Sequence, residues 1–358
     1  MDLHKRIELI KRVSDSEKLL FTKHLAVMIK AGLPIDQIID TLIEQASTNY
    51  FKDILGKVAS DIDNGQSLTV SLKKFPKVFD TFFISMIRVG EESGTLNENL
   101  NFLAKQLEKS YNLKNKIRNS LLYPEMVLVV TAIIGGGISI FVLPKLADLF
   151  SSFQVKLPLI TRILLWFSNL MKDYGILIFI TIFLLFGIFL WLIQIPNIRF
   201  WWHKTILRAP VFGELIKYGQ FSQFTRNLGV LLSSGVPINE SLKITSETIT
   251  NDYFKYLLSK ISVEIEQGGE ISLAIKERGK GVFPVLIPRM IAVGEKTGKL
   301  DEVLVYLSEF YEEEMDNISK NLSTILEPAM LIIIGLVVGF VALAIISPIY
   351  QLTGSIGR

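Results

Sequence analysis

The sequence predicts an all-α, polytopic membrane protein with two homologous helical-bundle repeats and three transmembrane helices. Three observations predict it. A block of the first half recurs about 204 residues later. Each copy ends in an apolar run of membrane length. Between those runs, apolar residues return at helical spacing, and no alternating strand pattern competes.

The repeat is the strongest of the three. Phe21–Asp36 (FTKHLAVMIKAGLPID) aligns with Phe224–Asn239 (FTRNLGVLLSSGVPIN), with 7 of 16 positions identical. The shared turn is Gly32, Pro34 and Ile35 in one copy and Gly235, Pro237 and Ile238 in the other. Met86–Glu98 (MIRVGEESGTLNE) aligns with Met290–Glu302 (MIAVGEKTGKLDE), with 8 of 13 identical. The register continues to Pro124 with Pro328 and Pro144 with Pro348, after one residue is inserted in the second copy between Leu72/Ile275 and Phe79/Phe283. Such a constant offset means one helical module used twice, each copy with its own anchor.

In chain order, residues 1–124 read as the first bundle. Helical periodicity is seen in Leu19–Ile29, Ile54–Ile62 and Phe79–Val89, and then in Leu96, Leu100, Leu103, Leu107 and Tyr111. Breakers separate these stretches at Gly32–Pro34, Asn64–Gly65, Phe75–Pro76 and Ser93–Gly94. Thr95 with Glu98 has the form of a capping box, whereas Lys299 stands at the matching place in the second copy. Residues 125–196 hold the first and second spans, Met126–Pro144 and Tyr174–Ile198, joined by a short periplasmic loop. Residues 197–327 repeat the bundle, with Leu300, Leu304, Leu307 and Tyr311 on its last helix, and residues 328–358 hold the third span and the C-terminus. Crossing about 30 Å of hydrocarbon at 1.5 Å per residue takes roughly 20 residues, and all three uncharged runs reach or approach that length. The first run contains Gly135–Gly137 and could pass for a core helix; its alignment with the third makes it a span.

Parity and charge orient the chain. Two modules on one side of a membrane, each followed by a span, need one extra span to return the chain, and Tyr174–Ile195 has no counterpart in the repeat. Ten basic residues flank the module side (Lys105, Lys109, Lys114, Lys116, Arg118, Arg199, Lys204, Arg208, Lys217, Lys320). Five flank the other side (Lys145, Lys156, Arg162, Lys172, Arg358). The positive-inside rule then places both modules, and the N-terminus, in the cytoplasm. The first 18 residues lack the apolar core of a signal peptide.

Composition narrows the function. Hydrophobic residues make up 49 % of the chain and charged ones 20 %, and the mean hydropathy is +0.40. There are no cysteines, so disulfide and thiolate chemistry are excluded. A net charge of +3 argues against nucleic acid as a partner. The three histidines, His4, His24 and His203, form no ligand spacing, and Asn227 stands at the repeat position of His24. No phosphate-binding loop, nucleophile elbow or zinc motif occurs, so neither a catalytic residue nor a cofactor or metal site is expected. The spans carry no charged residue, which counts against an ion-coupled transporter. Gly335 and Gly339 form a small-xxx-small pair that permits close packing of helices. The acidic run Glu312–Glu314 reads as a solvated helix face or as a patch for a basic partner.

The best functional candidate is the unit Gly90, Glu91, Ser93, Gly94, Leu96, repeated as Gly294, Glu295, Thr297, Gly298, Leu300. Two glycines four apart allow a tight turn between helices with positive φ. The hydroxyl can cap the next helix, and the glutamate can hold the turn by accepting backbone N–H bonds. A surface that contacts a partner is the alternative role. Glu125 and Glu327 sit beside Pro124 and Pro328 at the start of two spans, where a first helical turn favours both residue types.

These residues resemble those of the polytopic inner-membrane platform proteins of type II secretion and type IV pilus machines. The likeness rests on the Met28–Pro34 and Leu231–Pro237 turns, the Gly90–Leu96 and Gly294–Leu300 units, Tyr123–Pro124 and Glu327–Pro328, and it covers residues 15–350. It implies a non-enzymatic protein of the bacterial inner membrane that couples a cytoplasmic hexameric ATPase to insertion or extraction of pilin or pseudopilin subunits. It further implies contacts with other inner-membrane assembly proteins and a homo-oligomer. A small-molecule transporter or channel is the competing class, since repeats in a membrane are common there; one span per repeat leaves too few for a solute path in a monomer.

Overall fold

The computed structural model describes residues 13–138, 141, 145, 159–210 and 212–356. His4, Pro144, Lys156 and Arg358 lie outside them. Among the described residues there are helices and no strands. Among the described residues six helices come first: α1 (Asp15–Lys30), α2 (Ile35–Gln45), α3 (Asn49–Asp63), α4 (Leu68–Lys73), α5 (Thr81–Ser93) and α6 (Leu96–Gly137). Two follow, α7 (Leu159–Leu192) and α8 (Pro196–Ile206). The second copy then runs α9 (Phe212–Ser233), α10 (Ile238–Thr248), α11 (Asp252–Glu266), α12 (Ile271–Arg278), α13 (Leu286–Thr297) and α14 (Leu300–Ile356).

Local chemistry starts several of these helices. The side chains of Ser14, Thr48, Ser67 and Asp80 accept from the backbone N–H three residues on, at α1, α3, α4 and α5. Asn251 does the same for α11, accepting from Tyr253 and Phe254. Each satisfies a donor that the first turn leaves orphaned, typically for about 1 kcal/mol. At α2 and α10 the cap is Pro34 or Pro237, whose ring fixes φ near −61° and −54° and aims the chain into the helix.

Contacts divide the described chain into two compact units. One gathers the residues up to Asn115 with Phe200–Asn317, so it contains both modules; the other gathers Lys116–Arg199 with the chain from Ile318 on.

Within the first unit each module has an apolar core. Phe21 lies 5.5 Å from Phe51 and 5.6 Å from Phe79, ring centre to ring centre. Their repeat counterparts Phe224, Phe254 and Phe283 also cluster, with Phe283 6.0 Å from Phe224 and 5.5 Å from Phe254. Burying such a side chain contributes roughly 1.5–3 kcal/mol, so these trios and the leucines around them hold each bundle. Polar ties repeat as well. Glu17 accepts from the N–H groups of Ser47 and Thr48, and its counterpart Gln220 accepts from that of Asn251. His24 pairs with Gln45 at 2.6 Å, and Asn227 donates to Thr248 at 2.9 Å, the same two positions in the repeat. His24 is therefore a tie between helices.

The modules also meet. Val230, Leu231, Val236 and Ile244, from α9, α10 and the turn between them, belong to the apolar cluster of the first module, and α10 packs on α5. Sequence reading gave no sign of this joint.

In the second unit, α6 and α7 each contain a stretch long and apolar enough to cross a membrane. A shorter apolar stretch, Met330–Phe340, lies in α14. Their apolar side chains, such as Ile133, Phe183 and Leu336, stand exposed, which fits lipid as the surrounding medium. One expectation is corrected here. Pro124 and Pro328 are in helix interiors, not first turns, because α6 and α14 run through them without a break. A proline offers no N–H to the carbonyl four residues earlier, which costs about 3 kcal/mol in an ordinary helix. In an apolar medium an interrupted helix would cost more, since every freed backbone group there lacks water.

Candidate functional site

The repeated Gly-Glu units form two helix corners, α5 to α6 and α13 to α14. The last residue of α5 is Ser93, and Gly94 turns the chain at φ 75°, ψ 13°; Gly298 does so after α13 at φ 70°, ψ 12°. This left-handed conformation is the usual C-terminal stop of a helix, and any Cβ there is strained. The other glycine of each pair has a different reason. Gly90 and Gly294 are helical, and an added Cβ would lie 2.7 Å from the Cα of Leu96 or 2.9 Å from that of Leu300. The corner is tight because the two backbones touch at that point.

The glutamates tie the corner to another helix. Glu91 accepts from the N–H groups of Leu68 at 2.8 Å and Thr69 at 3.1 Å, the first two residues of α4. Glu295 accepts from Ile271 at 2.6 Å and Ser272 at 3.2 Å at the start of α12. Both carboxylate oxygens are used on donors that would otherwise be orphaned, at the positive end of a helix dipole. The expected N–H bonds exist, but they come from a different helix than the turn itself. The hydroxyls differ from expectation too. Ser93 donates back to the Val89 carbonyl at 2.6 Å and pairs with Thr95 at 2.7 Å, and Thr297 donates back to Val293 at 2.9 Å. They close the helix that is ending rather than cap the one that begins. Leu96 and Leu300 are half-buried against the two cores.

The turns at Gly32 and Gly235 have φ 79° and 83°. After each glycine a hydrogen bond reaches back five residues, from Leu33 to Met28 and from Val236 to Leu231, the doubled closure that ends a helix on a left-handed residue.

Only one corner and one turn are brought together. A groove of about 240 Å³ is lined by Arg88, Val89, Glu92 and Ser93 of α5 and by Ser234, Gly235, Val236, Pro237 and Glu240 of the second copy. The Gly294–Leu300 corner and the Gly32–Pro34 turn take no part in it. Arg88 pairs with Glu240 across the joint, both about 40 % exposed, at 39 % and 42 %. At that exposure solvent screening keeps the pair below about 1 kcal/mol. Deeper in, Glu312 takes Arg226 of its own module and Lys109 of the other, the latter at 2.6 Å. The first member of the acidic run is thus a link between modules. Sequence reading missed Arg88, Glu240 and Lys109. Their signal was an asymmetry: Ala292, Gln37 and Glu313 stand at the corresponding places of the other copy.

Two phenols beside this link are perturbed. Burial above all, then Tyr218 and Glu314, push the Tyr311 phenol well above its ordinary 10.0; Tyr218 is raised by burial, Glu214 and Glu314. Among the described residues no group of three His, Asp or Glu side chains converges as a metal site would.

Residues 21–144 and 224–348 each match the type II secretion system (T2SS), protein F family. The two segments have the register of the internal repeat. The chain belongs to that family. It is 33 % identical to the type IV pilus assembly protein PilC of Myxococcus xanthus, over 96 % of this chain and 82 % of that protein. It is 31 % identical to type II secretion system protein F of Aeromonas hydrophila, over 96 % and 88 %. With PilC of Pseudomonas aeruginosa it shares 30 %, over 97 % and 92 %. For a protein F relative, the paired corners and the joint between copies are the features to explain.

Proposed function

We propose that this protein F relative is a non-enzymatic assembly platform. It sits in the bacterial inner membrane and couples a cytoplasmic hexameric ATPase to insertion or extraction of pilin or pseudopilin subunits, alongside other inner-membrane assembly proteins. The N-terminus and both modules are cytoplasmic, and three spans cross the bilayer, the third within residues 328–358. The names of the relatives support the setting, since they are pilus assembly and secretion proteins.

The observation that carries the coupling is the continuity of α6 and α14. Each starts at a Gly-Glu corner and runs as one helix into apolar sequence. A push on a module would pass along this helix, whose backbone lacks one hydrogen-bond donor at Pro124 in α6 and at Pro328 in α14. The corners fix where each helix begins, and Glu92, Lys296 and Thr297, exposed around them, are the side chains available to a partner.

The test uses the full chain in nanodiscs with candidate secretion or pilus ATPases and prepilins. Co-purification is expected, with no ATP hydrolysis by the chain alone and a raised rate in the ATPase when the chain is present. Hydrolysis by the chain alone, or no association with any of them, would overturn the proposal. Topology is read separately. Cysteines at the exposed Ser47 and Ser233 should resist impermeant thiol reagents in spheroplasts while one at Ser152 reacts.

A further inference from the structure

The joint between the modules is heterologous: the α5 face of the first copy meets the α9–α10 corner of the second. Because the modules share one fold, each carries both faces, and one of each is left over. Exposure identifies them. Val89 is 8 % exposed in the joint, whereas its counterpart Val293 is 51 % exposed. Val236 and Val230 are 6 % and 9 % exposed, whereas their counterparts Leu33 and Val27 reach 44 % and 64 %. Leu286 and Tyr306, which correspond to the buried Phe82 and half-buried Phe102, extend the open face of the second copy.

We propose that a second copy of this chain covers these faces head to tail, the Leu286/Val293 face of one chain receiving the Val27/Leu33 corner of the next. The occupant follows from the chain's own joint. The two open faces are the same two surfaces that already fit each other inside one chain, displaced by one module. A heterologous contact of this kind repeats, closing into a ring if its rotation allows and otherwise running on as an open array. Neither ion pair of the joint is repeated, since Ala292 and Gln37 replace Arg88 and Glu240, and Glu313 and Glu108 replace Lys109 and Glu312. Apolar side chains are therefore what the contact between chains has to hold it, and raised salt should not weaken it. This inference does not rest on coupling to an ATPase.

The absence of cysteines permits a direct test in membranes with the full chain. Leu33→Cys and Val293→Cys, on differently tagged chains expressed together, are treated with a short bis-maleimide. A Ser93→Cys/Ser234→Cys chain serves as reference, since both side chains line the internal groove and reach solvent. The mixed product is expected to dominate over either homotypic one. Val27→Asp, at an exposed position that leaves the core untouched, should abolish it without affecting the reference reaction. A reacting reference with no mixed product overturns the proposal, as does a predominance of homotypic products, which would indicate a two-fold contact. A reference that fails to react removes the internal joint and with it the proposal.

Discussion

The two modules of this chain share their corners, their phenylalanine trios and their polar ties, and differ in what surrounds them. Glu91 and Glu295 serve the same two N–H groups in each copy, and Gly94 and Gly298 have the same φ to within a few degrees. Yet Val89 is covered and Val293 is open, and Arg88 has a partner where Ala292 has none to offer. What the copies share maintains the bundle. What they do not share marks where one bundle meets another, so the differences carry the information about assembly.

The strongest way to break this division is at the close backbone approach. Gly90→Ala and Gly294→Ala place a Cβ within 3 Å of the next helix's Cα, and no flexible side chain can yield there. Overpacking of this kind costs about 3 kcal/mol. Both variants should lower the unfolding midpoint of the full chain, the Gly90 variant at least as much because its contact is shorter. An unchanged midpoint for either would show that the corner has slack.

Next is the carboxylate. Glu91→Ala and Glu295→Ala each leave two N–H groups at a helix start without their acceptor, a loss of about 2 kcal/mol. The division predicts similar losses in the two copies. A loss confined to one would mean that the shared motif has diverged in role. Glu91→Gln, which retains one acceptor oxygen, should recover part of the stability.

Much of this was legible in the residues, and the failures have physical causes. The helices over Leu19–Ile29, Ile54–Ile62 and Phe79–Val89 follow from apolar spacing, and the positive φ of Gly94 follows from glycine at a helix end. The closeness at Gly90 could not be read, because it depends on how α6 crosses α5 rather than on any local preference. The prolines misled for a related reason. A proline usually marks a first turn, but here α6 and α14 run on as helix through Pro124 and Pro328. The joint between modules was not read, because Arg88 and Glu240 lie 152 residues apart in sequence and their asymmetry with Ala292 and Gln37 shows only when the copies are compared position by position.

Alkaline pH should separate the copies. Tyr311 and Tyr218 have raised values, and the first copy has Leu107 and Asp15 at those places. A phenol that keeps its proton in the native state and loses it at about 10 when unfolded makes the native state bind more protons above that pH. Stability contributed this way is whole below pH 10 and falls as pH rises beyond it. Tyr311→Phe should therefore flatten the decline in unfolding midpoint above pH 10 relative to wild type. Equal slopes would remove the phenol from the account.

The smallest effect tests the asymmetric joint itself. Arg88→Ala, Glu240→Ala and the double variant form a cycle whose coupling isolates the ion pair from the loss of each side chain's other contacts. Both groups are roughly 40 % exposed, so the coupling should be under 1 kcal/mol and should shrink as salt is raised. The apolar residues beside the pair give a sharper contrast. Val236→Ala removes buried methyl groups from the first module's cluster, and its cost should be insensitive to salt. If the Arg88–Glu240 coupling exceeded the Val236→Ala cost, charge rather than apolar area would hold the copies together. The counterpart contact, where Ala292 and Gln37 stand, would then have nothing comparable to hold it. A small, salt-sensitive coupling beside a larger, salt-insensitive cost leaves apolar area as the feature that both faces have in common.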